Sequence, residues 1–233
     1  MPPANIEANL RAVRERIEQA ARKARRDPDD VRIIAASKQQ SVTAITSALL
    51  GGQTEFGENI LDEALDKVRA LEGRGIIWHF IGALQSNKTR RIAEIFQWVH
   101  ALDRIKIARR LSMQRPHYAG PLDVCLQIRL AHEPNKAGAE PAAAEALAAE
   151  VQALPRLRLR GLTCIPPFEK DPRRQRAHFG RLRDMQEALV AQGYGLDTLS
   201  MGMSNDFEAA VEEGATMVRI GTAIFGPRSP DER

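Results

Sequence analysis

A chain of 233 residues with 43% hydrophobic content is long enough for one large core and short for two independent ones, so a single domain spanning 1–233 is expected. Its 34 Lys and Arg against 30 Asp and Glu give a net charge of +4, spread along the chain without aromatic interleaving, and nucleic acid is not an expected partner. No eighteen apolar residues run together and "MPPANIEANLRAVRERIEQ" has no apolar h-region, so neither a membrane span nor secretion is expected, and the location read from the sequence is cytoplasmic.

From Ile6 the apolar positions Ile6, Leu10, Val13, Ile17, Ala20 and Ala24 recur at spacings of four and three, predicting an amphipathic helix within residues 1–27 that ends at "RRDPDD". The barrel-forming region is then read over 31–226. Short β-rich runs follow at "VRIIAAS", "TEFG", "IIWHFIG", "QWVHAL", "DVCLQIRL", "LRLRGLTCI", "DTLSMG" and "TMVRIG", each but the last followed by a helical segment. Val42 to Leu50 closes on "GG", Ile60 to Leu71 stops before Gly73, and "EPAAAEALAAEVQAL" stops at Pro155. Eight strands alternating with helices predict a closed, parallel (β/α)8 barrel of the TIM type with an extra N-terminal helix. An open doubly wound sheet is the alternative, but no GxGxxG follows the first strand. Cys125 and Cys164 each sit in an apolar strand, with no CxxC and no histidine pair beside them, and read as buried, reduced thiols; no metal is expected.

The active end of such a barrel is where its strands end, and the residues placed there are polar and glycine-rich. Strand one ends in Ser37-Lys38, where the amine either swings to solvent or is held, partly neutral and nucleophilic, in an apolar mouth. In "TMVRIGTAIFG" the pleat puts Met217, Arg219 and Gly221 on one face, and an inward Arg219 needs a partner. That partner could be an interior carboxylate such as Glu58, in a purely structural pair. Ser204 in "MGMSND" reads as a helix N-cap or, with Gly221 and Thr222, as part of a phosphate cradle in the loops after strands seven and eight. A lysine, an interior arginine and a phosphate cradle at one mouth point to a phosphorylated aldehyde held as a Schiff base, with pyridoxal phosphate as the candidate. A cation rather than a carboxylate at the ring nitrogen would weaken the cofactor as an electron sink.

"AASK", "FGEN", "WHFIGALQSNK", "LRLRGLTCIPP" and "LSMGMSNDFEAAVEEGATMVRIGTAIFG", in the chain from Val31 to Gly226, resemble the pyridoxal phosphate homeostasis protein family, stand-alone barrels similar to the N-terminal domain of alanine racemase. The resemblance implies that Lys38 carries the Schiff base, that Asn59 lies beside the cofactor and that Arg219 faces the pyridine nitrogen. It further implies that Ser204, Gly221 and Thr222 cradle the phosphate, with Ser200 and Met203 lining the cradle, and that His79 belongs to the strand-three motif near the ring. This chain departs from the family pattern at Ala83, where members often carry histidine, at Ile60, where tyrosine is common, and at Arg129, where an asparagine is usual.

A racemase needs a second base on the far face of its substrate. Tyr118 and Tyr194, the two tyrosines, fall in loops at the opposite end of the barrel. The expectation is therefore a non-catalytic, monomeric protein that binds pyridoxal phosphate on Lys38 and buffers it or delivers it to pyridoxal phosphate-dependent apoenzymes. The alternative is a weakly active, racemase-like enzyme with a base such as His79.

Overall fold

The structure, a computed structural model, describes residues 5–131 and 137–227. Eight parallel strands close into a barrel in chain order: β1 Arg32–Ala36, β2 Glu55–Glu58, β3 Ile77–Phe80, β4 Trp98–Leu102, β5 Leu122–Gln127, β6 Leu157–Thr163, β7 Thr198–Ser200 and β8 Met217–Ile220. The helices are α1 Ile6–Lys23, α2 Val42–Leu50, α3 Leu61–Ala70, α4 Thr89–Ile95, α5 Ile105–Gln114, α6 Ala144–Gln152, α7 Pro172–Ala191, α8 Phe207–Glu212 and α9 Thr222–Phe225. The expectation that no helix follows the last strand is corrected by α9, a single turn too short to carry a 3.6-residue periodicity in the sequence.

α1 begins where Asn5 Oδ1 accepts the Ala8 N–H and buries Leu10, Val13, Ile17, Ala20 and Ala21 on one stripe. Asn9 Nδ2 donates to Ile224 O, and Arg16 and Lys23 pair with Glu208 and Glu212, so the extra helix packs over α8 and α9 outside the β8–β1 seam.

The pleat divides the barrel wall into two apolar sets. Outward residues such as Phe56, Val99, Val124, Val218 and Ile220 join the large core under the helices. Ile34, Trp98, Cys125 and Met217 form a separate, smaller cluster, with β1 set against β8 so that Ile34 pairs Arg219. Ion pairs close the N-terminal end of the barrel: Arg32 grips Glu55, while Arg158 and Arg160 share Asp123 and Arg160 reaches Asp197. The Trp98 ring lies under the Arg32 and Arg160 guanidinium groups at 5.2 and 5.0 Å. Polar groups at that end leave the opposite end, where β1, β7 and β8 finish, as the open mouth.

Candidate cofactor site at the barrel mouth

β1 is followed directly by Ser37, which is fully buried, and Lys38, which is half-buried. The backbone beneath Lys38 is fixed from outside the barrel wall. Lys67 Nζ of α3 donates to Ser37 O at 2.7 Å and to Glu58 Oε1 at 2.8 Å, and Ser37 Oγ donates to the same carboxylate oxygen at 2.5 Å. Burial pushes the Glu58 carboxyl above its ordinary range, with Lys67 and Ser37 opposing it. Glu58 is thus committed to Lys67 on the helix side and is not the partner of Arg219.

Arg219, 6% exposed, points inward and is held without a carboxylate. Its Nη1 donates to Thr163 Oγ1 at 3.0 Å, Ser200 O at 2.5 Å and Ser200 Oγ at 2.7 Å, and its Nη2 donates to Cys164 O at 2.9 Å. Burial lowers its pKa, but a guanidinium starts so far above neutrality that it remains charged at neutral pH. Neutral oxygens at the ends of β6 and β7 therefore fix the cation by direct hydrogen bonds, while the Asp206 carboxylate acts on it only through space. The Cys125 and Cys164 thiols beside it are buried and free, each pushed up to about 12 by burial.

The loop after β7 corrects the helix-cap reading of Ser204. Asp206, not Ser204, precedes the first turn of α8 as its cap residue. Asp206 Oδ1 accepts the Met203 N–H at 2.6 Å, while Ser204 Oγ accepts the Ala223 N–H from the loop after β8 at 3.2 Å. Ser204 thus ties the two loops together at the mouth. Gly202 allows this path: its φ is +91° and an added Cβ would lie 2.6 Å from Ala210 Cβ.

Of the nine residues expected at the site, Lys38, Asn59, Met203, Ser204, Arg219, Gly221 and Thr222 line one cavity of about 390 Å³, which suits a small ligand. Ser200 is fully buried one layer below, behind Arg219. His79 is not at the mouth. It is fully buried in the barrel interior, its Nδ1 2.9 Å from His100 Nε2 and its Nε2 3.1 Å from Glu55 Oε2. In the parallel pleat His79 sits two residues before Ile81, and it is Ile81 and Gly82 that reach the cavity. Tyr118, highly exposed, and Tyr194 lie in the connections before β5 and β7, at the other end. Among the departures from the family pattern, Arg129 pairs with Glu140 and Ile60 is 39% exposed.

Sequence reasoning missed His100, Glu55 and Lys67. The first two occupy inward positions whose phase is readable only once "WVHAL" and "EFGE" are set in register with β3, and Lys67 is an ordinary helix lysine until α3 is docked.

The alanine racemase N-terminal domain model matches residues 8–229. The pyridoxal phosphate homeostasis protein of Pseudomonas aeruginosa is 52% identical over 223 residues, covering 96% of each chain. The Escherichia coli K12 protein of the same name is 47% identical over 230 residues, covering 96% of this chain and 97% of the relative. The chain belongs to the pyridoxal phosphate homeostasis protein family. A solved family member, PipY of Synechococcus elongatus with pyridoxal phosphate bound, superposes at a TM-score of 0.84 with 35% identity, covering 95% of this chain and all of that one. Alanine racemase of Corynebacterium glutamicum shares the fold at 16% identity and a TM-score of 0.71, with 61% of its length covered. The family's barrel is thus a part of that larger protein's length.

Proposed function

We propose that this protein binds pyridoxal phosphate reversibly, as a Schiff base on Lys38, and serves in pyridoxal phosphate homeostasis by buffering the free aldehyde or handing it to apoenzymes. The observation that carries the reading is one cavity onto which a half-buried lysine, an arginine without a carboxylate partner and the Ser204–Thr222 loops all open. The residues suit the group. Asn59 Oδ1 is buried without a hydrogen-bond partner, an acceptor awaiting a donor such as a ring hydroxyl. Gly221 leaves room that a Cβ, 3.2 Å from Ala36 O, would crowd.

When bound, the cofactor would supply an aldehyde carbon for an amine and an aromatic ring able to draw electrons. The chain's own residues do the rest. Lys38 contributes the amine, and Ser204 and Thr222 contribute hydroxyls to the phosphate. Met203 and Ile165, both more than a third exposed at the rim of the cavity, would offer apolar contact to the ring. Arg219 has its Nη atoms engaged behind it, and as a fixed cation it disfavours a proton on the ring nitrogen.

The non-catalytic reading is supported by the position of His79 and of both tyrosines away from the cavity, which leaves the racemase-like alternative without its named second base. No helix among the described residues is long and apolar enough to cross a membrane; a cytoplasmic, monomeric protein remains part of the proposal. The test is to load the protein with pyridoxal phosphate and incubate it with L-alanine in heavy water. A holder gives slow amine exchange and no deuterium at the α-carbon, and rapid deuteration with inversion would return the racemase reading.

A further inference from the structure

Behind Arg219 a line of buried polar groups runs the length of the barrel interior. Arg219 Nη1 donates to Ser200 Oγ at 2.7 Å; Ser200 Oγ lies 2.7 Å from His100 Nδ1; His100 Nε2 lies 2.9 Å from His79 Nδ1; His79 Nε2 lies 3.1 Å from Glu55 Oε2. Ser200 and His79 are fully buried and His100 is 2% exposed. The last contact is a close approach whose alignment falls short of a hydrogen bond, and Glu55 is gripped in addition by Arg32.

With both rings neutral and Glu55 ionised, the proton inventory leaves one arrangement. Arg219 can only donate, so Ser200 Oγ accepts from it, and the hydroxyl hydrogen is then the donor that His100 Nδ1 requires. His100 Nδ1 is then an acceptor, and its proton sits on Nε2, pointing at His79 Nδ1. His79 in turn carries its proton on Nε2, facing a carboxylate that can only accept. The carboxylate at one end sets the direction, and the hydroxyl that accepts from the cation at the other end completes it. Burial lowers the pKa of both imidazoles, and Arg219 and Arg32 act in the same sense on His100. The His79 ring is held in plane by Trp98, stacked at 5.6 Å.

We propose that Ser200, His100 and His79 form a one-directional hydrogen-bond chain, ending against Glu55, that holds Arg219 in place as the fixed cation of the mouth, with His100 and His79 as positioning residues. The proposal deepens the cofactor reading, because the chain matters to a ligand only through Arg219. A merely apolar filling of the interior would keep the fold and lose this restraint.

Two measurements on the full chain test it. In the cofactor-free protein, nitrogen-15 spectra of the histidines should show both rings neutral and protonated on Nε2 at pH 7. A ring protonated on Nδ1, or on both nitrogens, overturns the chain. In the loaded protein, His100→Leu should release pyridoxal phosphate about tenfold faster than wild type, whereas His100→Gln, which can still accept and donate, should stay within about twofold. Thermal unfolding, which registers loss of the ring in both variants, separates packing from hydrogen bonding. Equal retention in the two variants, with both folded, contradicts the proposal. Borohydride trapping on wild-type Lys38 judges the cofactor reading separately: if no adduct forms there, that reading fails while the tautomers still decide the chain.

Discussion

At the scale of single residues the account turns on two cations with different duties. Lys38 is half-buried at a strand end whose backbone is held by Lys67, Ser37 and Glu58, so the amine can be removed without disturbing what supports it. Lys38→Ala should abolish the visible absorbance of the loaded protein and leave its melting temperature close to that of wild type, which absorbance and calorimetry on one sample would check. Arg219 is the opposite case. Removing it takes the arginine donor from Cys164 O and breaks its bonds to Thr163 Oγ1, Ser200 O and Ser200 Oγ, which keep other partners in Ser200 O, Thr163 Oγ1 and His100. Arg219→Leu should therefore cost about 1–3 kcal/mol of stability, the range for leaving a buried acceptor unsatisfied, read from denaturant midpoints. Arg219→Glu, if it folds, should permit ring protonation and raise α-hydrogen exchange. The pleat of "MVRIG" put Arg219 on one face with Met217, but which face turns inward was not legible from it, because both faces of a barrel strand are mostly apolar. Nor were its partners, because four neutral oxygens from β6 and β7 leave no charge pattern in the sequence.

At the scale of elements, the loops after β7 and β8 work as a pair, since Ser204 Oγ accepts the Ala223 N–H. Thr222→Ala should weaken retention of pyridoxal phosphate by about 1.5–3 kcal/mol, the range for a hydrogen bond to a charged group. It should leave pyridoxal, which lacks the phosphate, unaffected. Equal losses for both ligands in a titration would put the cradle elsewhere. Gly82 is a second fixed point: an added Cβ would lie 2.2 Å from Asn59 O, a backbone atom that cannot step aside. Gly82→Ala should cost about 1–3 kcal/mol and loosen Asn59, measured by unfolding and by ligand titration. The eight strands and the α2 boundaries could be read from alternation and from glycine stops. The helix-cap reading of Ser204 could not be decided from sequence, because Asp206 and Ser204 are both good cap residues and only the approach of the β8 loop separates them.

At the scale of the whole molecule, closure of the barrel places ionisable groups where water cannot reach them, and stability inherits their titration. His79 and His100 have folded pKa values below the ordinary 6.5, so the unfolded chain binds more protons below that pH. Their contribution is fully present above about pH 6.5 and is lost as pH falls beneath it. Glu55, lowered to about 2 by His79 and Arg32 against its burial, adds a further loss below 4.5. Glu58, raised by burial, works the other way. The melting temperature should fall between pH 7 and 5, and His100→Gln should flatten that fall by up to about 1.4 kcal/mol per pH unit.

The central claim remains that Lys38 at the mouth holds the cofactor. Its most direct measurement is reduction of the loaded protein with borohydride followed by mass mapping of the chain. The account predicts a single stable adduct, on Lys38, absent from Lys38→Ala. An adduct on Lys67, Lys88 or another lysine, with Lys38 unmodified, would contradict it.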